Sequence, residues 1–181
     1  MFDVGCSAFK MRLLRIQAWS PYLPAYSLGM GIEIERKFLV TGDDWRSVEG
    51  VRIAQGYLAR EISHSVRVRI AGEQAWLTIK ARVQEGVNQE FEYPLPLADA
   101  QALLKLCPQP VIEKTRRTIA HQGFVWEVDE FFGLNAGLVV AEIELETPAQ
   151  TFPLPDWIGE EVTDDPRYLN ANLTVHPFTR W

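Results

Sequence analysis

Residues 32–40 read Ile-Glu-Ile-Glu-Arg-Lys-Phe-Leu-Val, and their alternation decides the architecture. On an extended chain Ile32, Ile34 and Phe38 point one way, while Glu33, Glu35 and Lys37 point the other. The same period of two returns down the chain. Val66, Val68 and Ile70 alternate with Arg67 and Arg69; Ala75, Leu77 and Ile79 with Trp76, Thr78 and Lys80; Phe91 and Tyr93 with Glu90 and Glu92. Further on, Lys114 and Arg116 share one side. Trp126 and Val128 oppose Glu127 and Asp129, and Ala141, Ile143 and Leu145 lie behind Glu142, Glu144 and Glu146. A solvated strand face normally mixes charges, whereas each polar face here carries mainly one sign. Residues two apart on a strand are roughly 6.6 Å apart, so such like charges repel unless something of opposite charge lies between them.

About eight such strands predict a mainly β chain with flanking helices (α+β), folded as an eight-stranded antiparallel closed barrel that forms a charged tunnel. Its charged faces look inward and its apolar faces outward, so helices have to cover the outside. Residues 41–50 predict a short helix, and residues 97–108 place Leu97, Ala100, Leu103, Leu104 and Leu106 at helical spacing before Pro108. Residues 155–167 predict a turn and helix that closes one end.

The chain has 181 residues, with 18 Lys and Arg against 24 Asp and Glu, for a net charge of -6. That sign argues against nucleic acid or anionic lipid as a partner. No apolar run reaches the roughly 20 residues that cross a bilayer, so no membrane partner is expected. Cys6 and Cys107 fit no metal or redox spacing, and both are expected as free thiols in a reducing compartment; with no well-formed signal peptide in the sequence, the cytoplasm is the default. Residues 1–29 carry Lys10, Arg12 and Arg15 with one acid, Asp3, and no clean period. They are expected to be a disordered extension or an over-extended start ahead of Met30, with residues 30–181 forming one domain. The oligomeric state is left open, a homodimer included. His64, His121 and His176 are isolated and are assigned to the surface, not to metal.

The inward set has a chemistry of its own. Lys37, Arg67, Arg69, Lys80, Lys114 and Arg116 would neutralise several phosphates, Arg as forks and Lys as point charges. Glu33, Glu35, Glu142, Glu144 and Asp129 form an all-oxygen set that selects magnesium or manganese over zinc. Cations for phosphate oxygens and carboxylates for a metal are the two halves of a phosphoryl-transfer site.

Glu33-Ile34-Glu35-Arg36-Lys37 resembles the ExExK signature of the CYTH domain, the triphosphate tunnel metalloenzymes. The resemblance continues through Gln55-Gly56-Tyr57-Leu58, Arg67-Val68-Arg69, Leu77-Thr78-Ile79-Lys80, Gln89-Glu90-Phe91-Glu92, Glu113-Lys114-Thr115-Arg116, Glu127-Val128-Asp129, Glu142-Ile143-Glu144 and Gly159-Glu160-Glu161-Val162-Thr163. It spans residues 30–177 and is strongest toward the compact bacterial members that hydrolyse inorganic triphosphate. The resemblance implies a tunnel for a linear, small-molecule triphosphate with one or two divalent ions, Mg2+ or Mn2+. It places metal on Glu33, Glu35, Glu142 and Glu144, assisted by Asp129, and the phosphate chain on Lys37, Arg67, Arg69, Lys80, Lys114 and Arg116. It makes Tyr57, Lys114 and Glu35 the catalytic set, with Tyr57 as a proton acceptor or gate and Lys114 as its cationic neighbour. Asn88 departs from relatives that carry Arg there. An organic triphosphate enzyme of the same fold, an adenylate cyclase or thiamine triphosphatase, is the alternative; a non-catalytic polyphosphate binder is another, although the complete Glu33/Glu35 and Glu142/Glu144 pairs argue for catalysis.

Overall fold

The computed structural model describes residues 34–61, 63–84 and 87–181. Residues 1–29 and Glu33 therefore lie outside the described residues. The strands are β1 (Ile34–Val40), β2 (Val51–Arg60), β3 (His64–Ala71), β4 (Gln74–Gln84), β5 (Val87–Pro94), β6 (Ile112–His121), β7 (Phe124–Phe131), β8 (Val139–Leu145) and β9 (Ile158–Glu161). They form one sheet in the order β5-β4-β3-β2-β6-β7-β8-β1-β9, antiparallel at every recorded pairing. The mainly β, antiparallel architecture is the expected one. The count differs: nine strands stand where eight were expected, and no pairing joins β5 to β9 among the described residues.

The ninth strand arises in the stretch expected to turn and form a helix. Val162 N–H donates to Lys37 O and Thr41 N–H to Trp157 O, both at 2.8 Å, so this stretch supplies partners for the outer edge of β1. An unpaired backbone edge is costly, and a four-residue strand beside β1 satisfies it where local helix propensity would not.

The register sorts the side chains as the alternation predicts. Lys37 lies opposite Glu142, Glu35 opposite Glu144, Glu127 opposite Glu142 and Arg116 opposite Asp129, all on one face. The other face of β1, β7 and β8 is apolar: Phe38, Trp126, Val128, Ala141 and Ile143 pack with Trp45, and Phe152 and Trp157 lie over them. Phe38, Phe152 and Trp157 meet Trp126 edge-on at 5.6, 5.7 and 5.8 Å between ring centroids. The predicted helix after β1 is a single 3-10 turn, Asp44–Ser47, that seats Trp45. Helix α1 (Leu97–Leu104) covers the outer face of β2, β3 and β4, with Ala100 packed on Val68 and Ala75. Leu106, expected on the same helical stripe, lies past the helix end and is exposed. Behind β2 the fit is tight, since a side chain at Gly56 would meet Cys107 Sγ at 2.6 Å. No helix among the described residues is long and apolar enough to cross a membrane.

The charged face is closed at one end, by a segment that begins where residues 155–167, expected to close it, leave off. Helix α2 (Asn170–Leu173), with 3-10 turns at Pro166–Tyr168 and Phe178–Arg180, lies there. Tyr168 and Leu173 pack with Ile112 of β6, Phe131 of β7 and Val140 of β8, with Leu39 of β1 alongside. Arg60, at the end of β2, donates to Ala171 O and Asn172 Oδ1, both at 2.9 Å. From β2 to β1 is four steps in the ladder, roughly 19 Å in a flat sheet at about 4.8 Å per step. One short segment touches both, so the sheet curls around it with its charged face concave.

Asn135 fastens this plug. Its Nδ2 donates to Leu173 O at 3.4 Å, and its Oδ1 accepts from Phe178 N at 2.8 Å, in a site only 4% exposed. Asn135→Ala leaves buried backbone groups without partners and is expected to cost about 1–3 kcal/mol, read as a lower urea midpoint with an unchanged slope.

Candidate active site

Register and strand parity bring the sequence-predicted residues to the concave face from seven strands. Lys37 and Glu35 come from β1, Tyr57 from β2, Arg67 and Arg69 from β3, and Lys80 from β4. Lys114 and Arg116 stand on β6, Asp129 on β7, Glu142 and Glu144 on β8. Lys37, Lys114, Asp129 and Glu142 are buried, an arrangement that charged groups tolerate only when paired.

They are paired in a continuous chain. Lys37 Nζ donates to Glu35 Oε1 at 2.5 Å and to Glu142 Oε1 at 2.7 Å. Glu142 Oε2 accepts from Arg116 Nη2 at 2.8 Å. Arg116 also forks onto Asp129, at 2.7 and 2.6 Å, and bonds Glu127. Lys114 Nζ completes the chain on Asp129 Oδ2 at 2.5 Å. A second sector lies on β3, β4 and β5. Arg69 Nη2 and Thr78 Oγ1 both donate to Glu92 Oε1 at 3.0 Å, Arg67 Nη2 donates to Thr78 Oγ1 at 3.3 Å, and Lys80 pairs with Glu90 at 2.7 Å.

The electrostatics follow from this packing. Burial draws the Lys37 ammonium down, but Glu142 and Glu35 outweigh it and leave it above its ordinary value. Burial opposes ionisation of Glu142, yet Arg116 and Lys37 hold its carboxyl well below the usual carboxylate range. At Lys114 burial wins: with Arg116 beside it, the ammonium lies below its ordinary value despite Asp129 and Glu142. Burial raises the Glu127 carboxyl against the pull of Arg116, and Asp129 and Glu142 add to the rise. Burial also pushes the Tyr57 phenol up, opposed by Arg67 and Lys80.

Lys114 was expected to be the cation beside Tyr57; instead Arg67 and Lys80 hold that place, and Lys114 faces Asp129 and Glu142. The cause is the sheet order, which puts Tyr57 directly opposite Arg67 on the β3 side of β2. Trp126 and Trp157 pack in the outer core. Trp76 lies on the concave face with the Arg69 guanidinium 5.3 Å from its ring centroid. Glu127 and Glu92, not assigned a role from the sequence, belong to the site. Their signal was there in the inward parity they share with Asp129 and Glu90.

A family model for the CYTH domain matches residues 31–174. The chain belongs to the CYTH domain family. It is 49% identical over 152 residues to a protein of Acetivibrio thermocellus named inorganic triphosphatase, covering 82% of this chain and 97% of that one. A Nitrosomonas europaea protein of the same name is 35% identical over 148 residues, covering 79% and 97%. The crystal structure of an inorganic triphosphatase superposes with a TM-score of 0.63 at 34% identity, over 79% of this chain and 94% of that one.

Membership in the CYTH family implies a divalent cation, and the oxygen-only chemistry of the carboxylate set suits one. Carboxylates of β1 and β8 face each other in register, Glu35 against Glu144, which suits a hard oxygen-loving ion. Between Glu35 and Glu142 sits the Lys37 ammonium, a cation of the chain's own standing where positive charge is stabilised. Among the described residues no three metal-binding side chains converge as a ready centre, and Lys37 and Arg116 are the present partners of Glu142. Accommodating an ion therefore requires these side chains to re-pair.

Glu142 yields a pH prediction. Its folded value is depressed from 4.5, so its contribution to stability is complete above that pH and is lost as acid protonates the folded carboxylate. In chelator, the melting temperature of the native protein is expected to fall more steeply below about pH 4.5 than that of Glu142→Gln.

Proposed function

We propose that this chain hydrolyses inorganic triphosphate to diphosphate and orthophosphate in its concave face. The observation that carries the reading is the buried chain of alternating charge from Lys37 to Lys114, set in a groove closed at one end, in a chain 49% identical to a named inorganic triphosphatase. Both curated relatives carry that name, which ranks the inorganic substrate ahead of an organic triphosphate.

In this reading Lys37, Arg67, Arg69, Lys80, Lys114 and Arg116 bind the phosphate chain. A linear triphosphate carries several negative charges, and it replaces Glu92, Glu90, Asp129 and Glu142 as partner to these cations. The released carboxylates, Glu142 with Glu35, Glu144, Asp129 and Glu33, then hold Mg2+ or Mn2+. When bound, that ion supplies Lewis-acid polarisation of a phosphoryl oxygen. Lys114 is buried and Arg116 half-buried beside it, where opposite charge is less screened than in water, so they stabilise charge that develops on the phosphoryl oxygens. Lys114 is poised differently from the others: burial already disfavours its charge, and an incoming anion restores it. Tyr57, held protonated by burial, serves as a hydrogen-bond donor or gate beside Arg67 rather than as a proton acceptor. The action is placed in the cytoplasm, in keeping with the free thiol of Cys107.

The test is phosphate release from inorganic triphosphate, ATP and thiamine triphosphate, with magnesium, with manganese and with chelator. Metal-dependent release is expected to be fastest with inorganic triphosphate. Glu35→Gln is expected to lower kcat about a hundredfold or more, which corresponds to about 2.7 kcal/mol of transition-state stabilisation. Equal release in chelator, or faster release from either organic substrate, would overturn the assignment.

A further inference from the structure

Gln55 is 2% exposed on β2, yet its Nε2 has no hydrogen-bond acceptor. A buried amide donor left without a partner costs stability, and folded chains rarely retain one without a use. Its position suggests the use. Gln55 lies opposite Arg69 on one side and Ile112 on the other, which places it on the concave face where the cations meet the apolar plug. Two residues along β2 stands Tyr57, opposite Arg67, and the buried Nε of Arg67 is likewise without an acceptor. Two unmet N–H donors thus flank Tyr57 at the closed end of the groove. Both lack the same thing, an acceptor oxygen, and both nitrogens are buried.

Resting on the triphosphatase reading, we propose that Gln55 is a substrate-binding residue whose Nε2–H donates to an oxygen of the phosphoryl group at the plugged end of the groove. A neutral amide suits this place. It adds a directional donor to a site already rich in cations without a further desolvated charge, and it recognises the end of the phosphate chain that the plug stops. The anion reaches it as Arg67 turns onto the phosphate, which also satisfies the Arg67 Nε.

The experiment uses the full chain with Gln55→Met, which keeps length but removes the donor, and Gln55→Glu, which keeps shape but adds negative charge. Three quantities are read: KM against kcat for inorganic triphosphate, the melting temperature without ligand, and its rise on adding inorganic triphosphate in chelator. Gln55→Met is expected to raise KM about tenfold or more with a smaller change in kcat, and to reduce the triphosphate-induced rise. Without ligand it is expected to melt at the native temperature or above it, because the unmet donor is gone. Gln55→Glu is expected to raise KM further. An unchanged KM and an unchanged triphosphate-induced rise in Gln55→Met would overturn the inference. So would a lower melting temperature without ligand in that variant, which marks Gln55 as a structural residue. If the native protein neither hydrolyses triphosphate nor melts higher with it, both readings fall together; if only the variants behave like the native protein, the Gln55 inference falls alone.

Discussion

Lys37, Glu142, Arg116, Asp129 and Lys114 form an unbroken chain of alternating charge across β1, β8, β7 and β6, and the molecule is arranged around its burial. Removing such groups from water is expensive, and mutual attraction offsets the cost only when every partner is present. Apolar residues at these positions would pack with less risk. Retaining charges there trades stability for a site that binds something more highly charged than its own carboxylates.

That constraint explains the inverted sheet. With charge on the concave face, the apolar faces of the strands have no interior to fill and must be covered from outside. Trp45 and the chain carrying Phe152 and Trp157 cover β1, β7 and β8, while α1 covers β2, β3 and β4. An apolar stretch of the concave face, Ile112, Phe131, Val140 and Leu39, is where the C-terminal segment lands. The same strands that present charge midway along the groove therefore present an apolar floor one step further on, and the plug forms because that floor has to be buried.

Local pattern was enough wherever one strand sets its own parity. Glu35 and Lys37, Arg67 and Arg69, Lys114 and Arg116, and Glu142 and Glu144 all point to one face, as their alternation requires. The helix at α1 was legible from its apolar spacing, although it ends at Leu104, short of Pro108. What failed were predictions that needed a neighbour. The stretch 155–167 was expected to turn and form a helix, but β1 needed an edge partner and took Ile158–Glu161 as a strand. Lys114 was assigned to Tyr57 without knowledge that β3, not β6, would set Arg67 against it.

The sequence by itself determined the period of two, the sign of charge on each strand and the oxygen-only character of the carboxylate set, because parity and ionisation are properties of short segments. Only the tertiary structure decided which charges meet, which end of the groove is closed, and that Gln55 ends up buried with its amide donor unmet. Those outcomes depend on strand order and on the long return of the C-terminal segment. Neither is written in local spacing: both are selected by backbone pairing and apolar burial among residues more than a hundred positions apart.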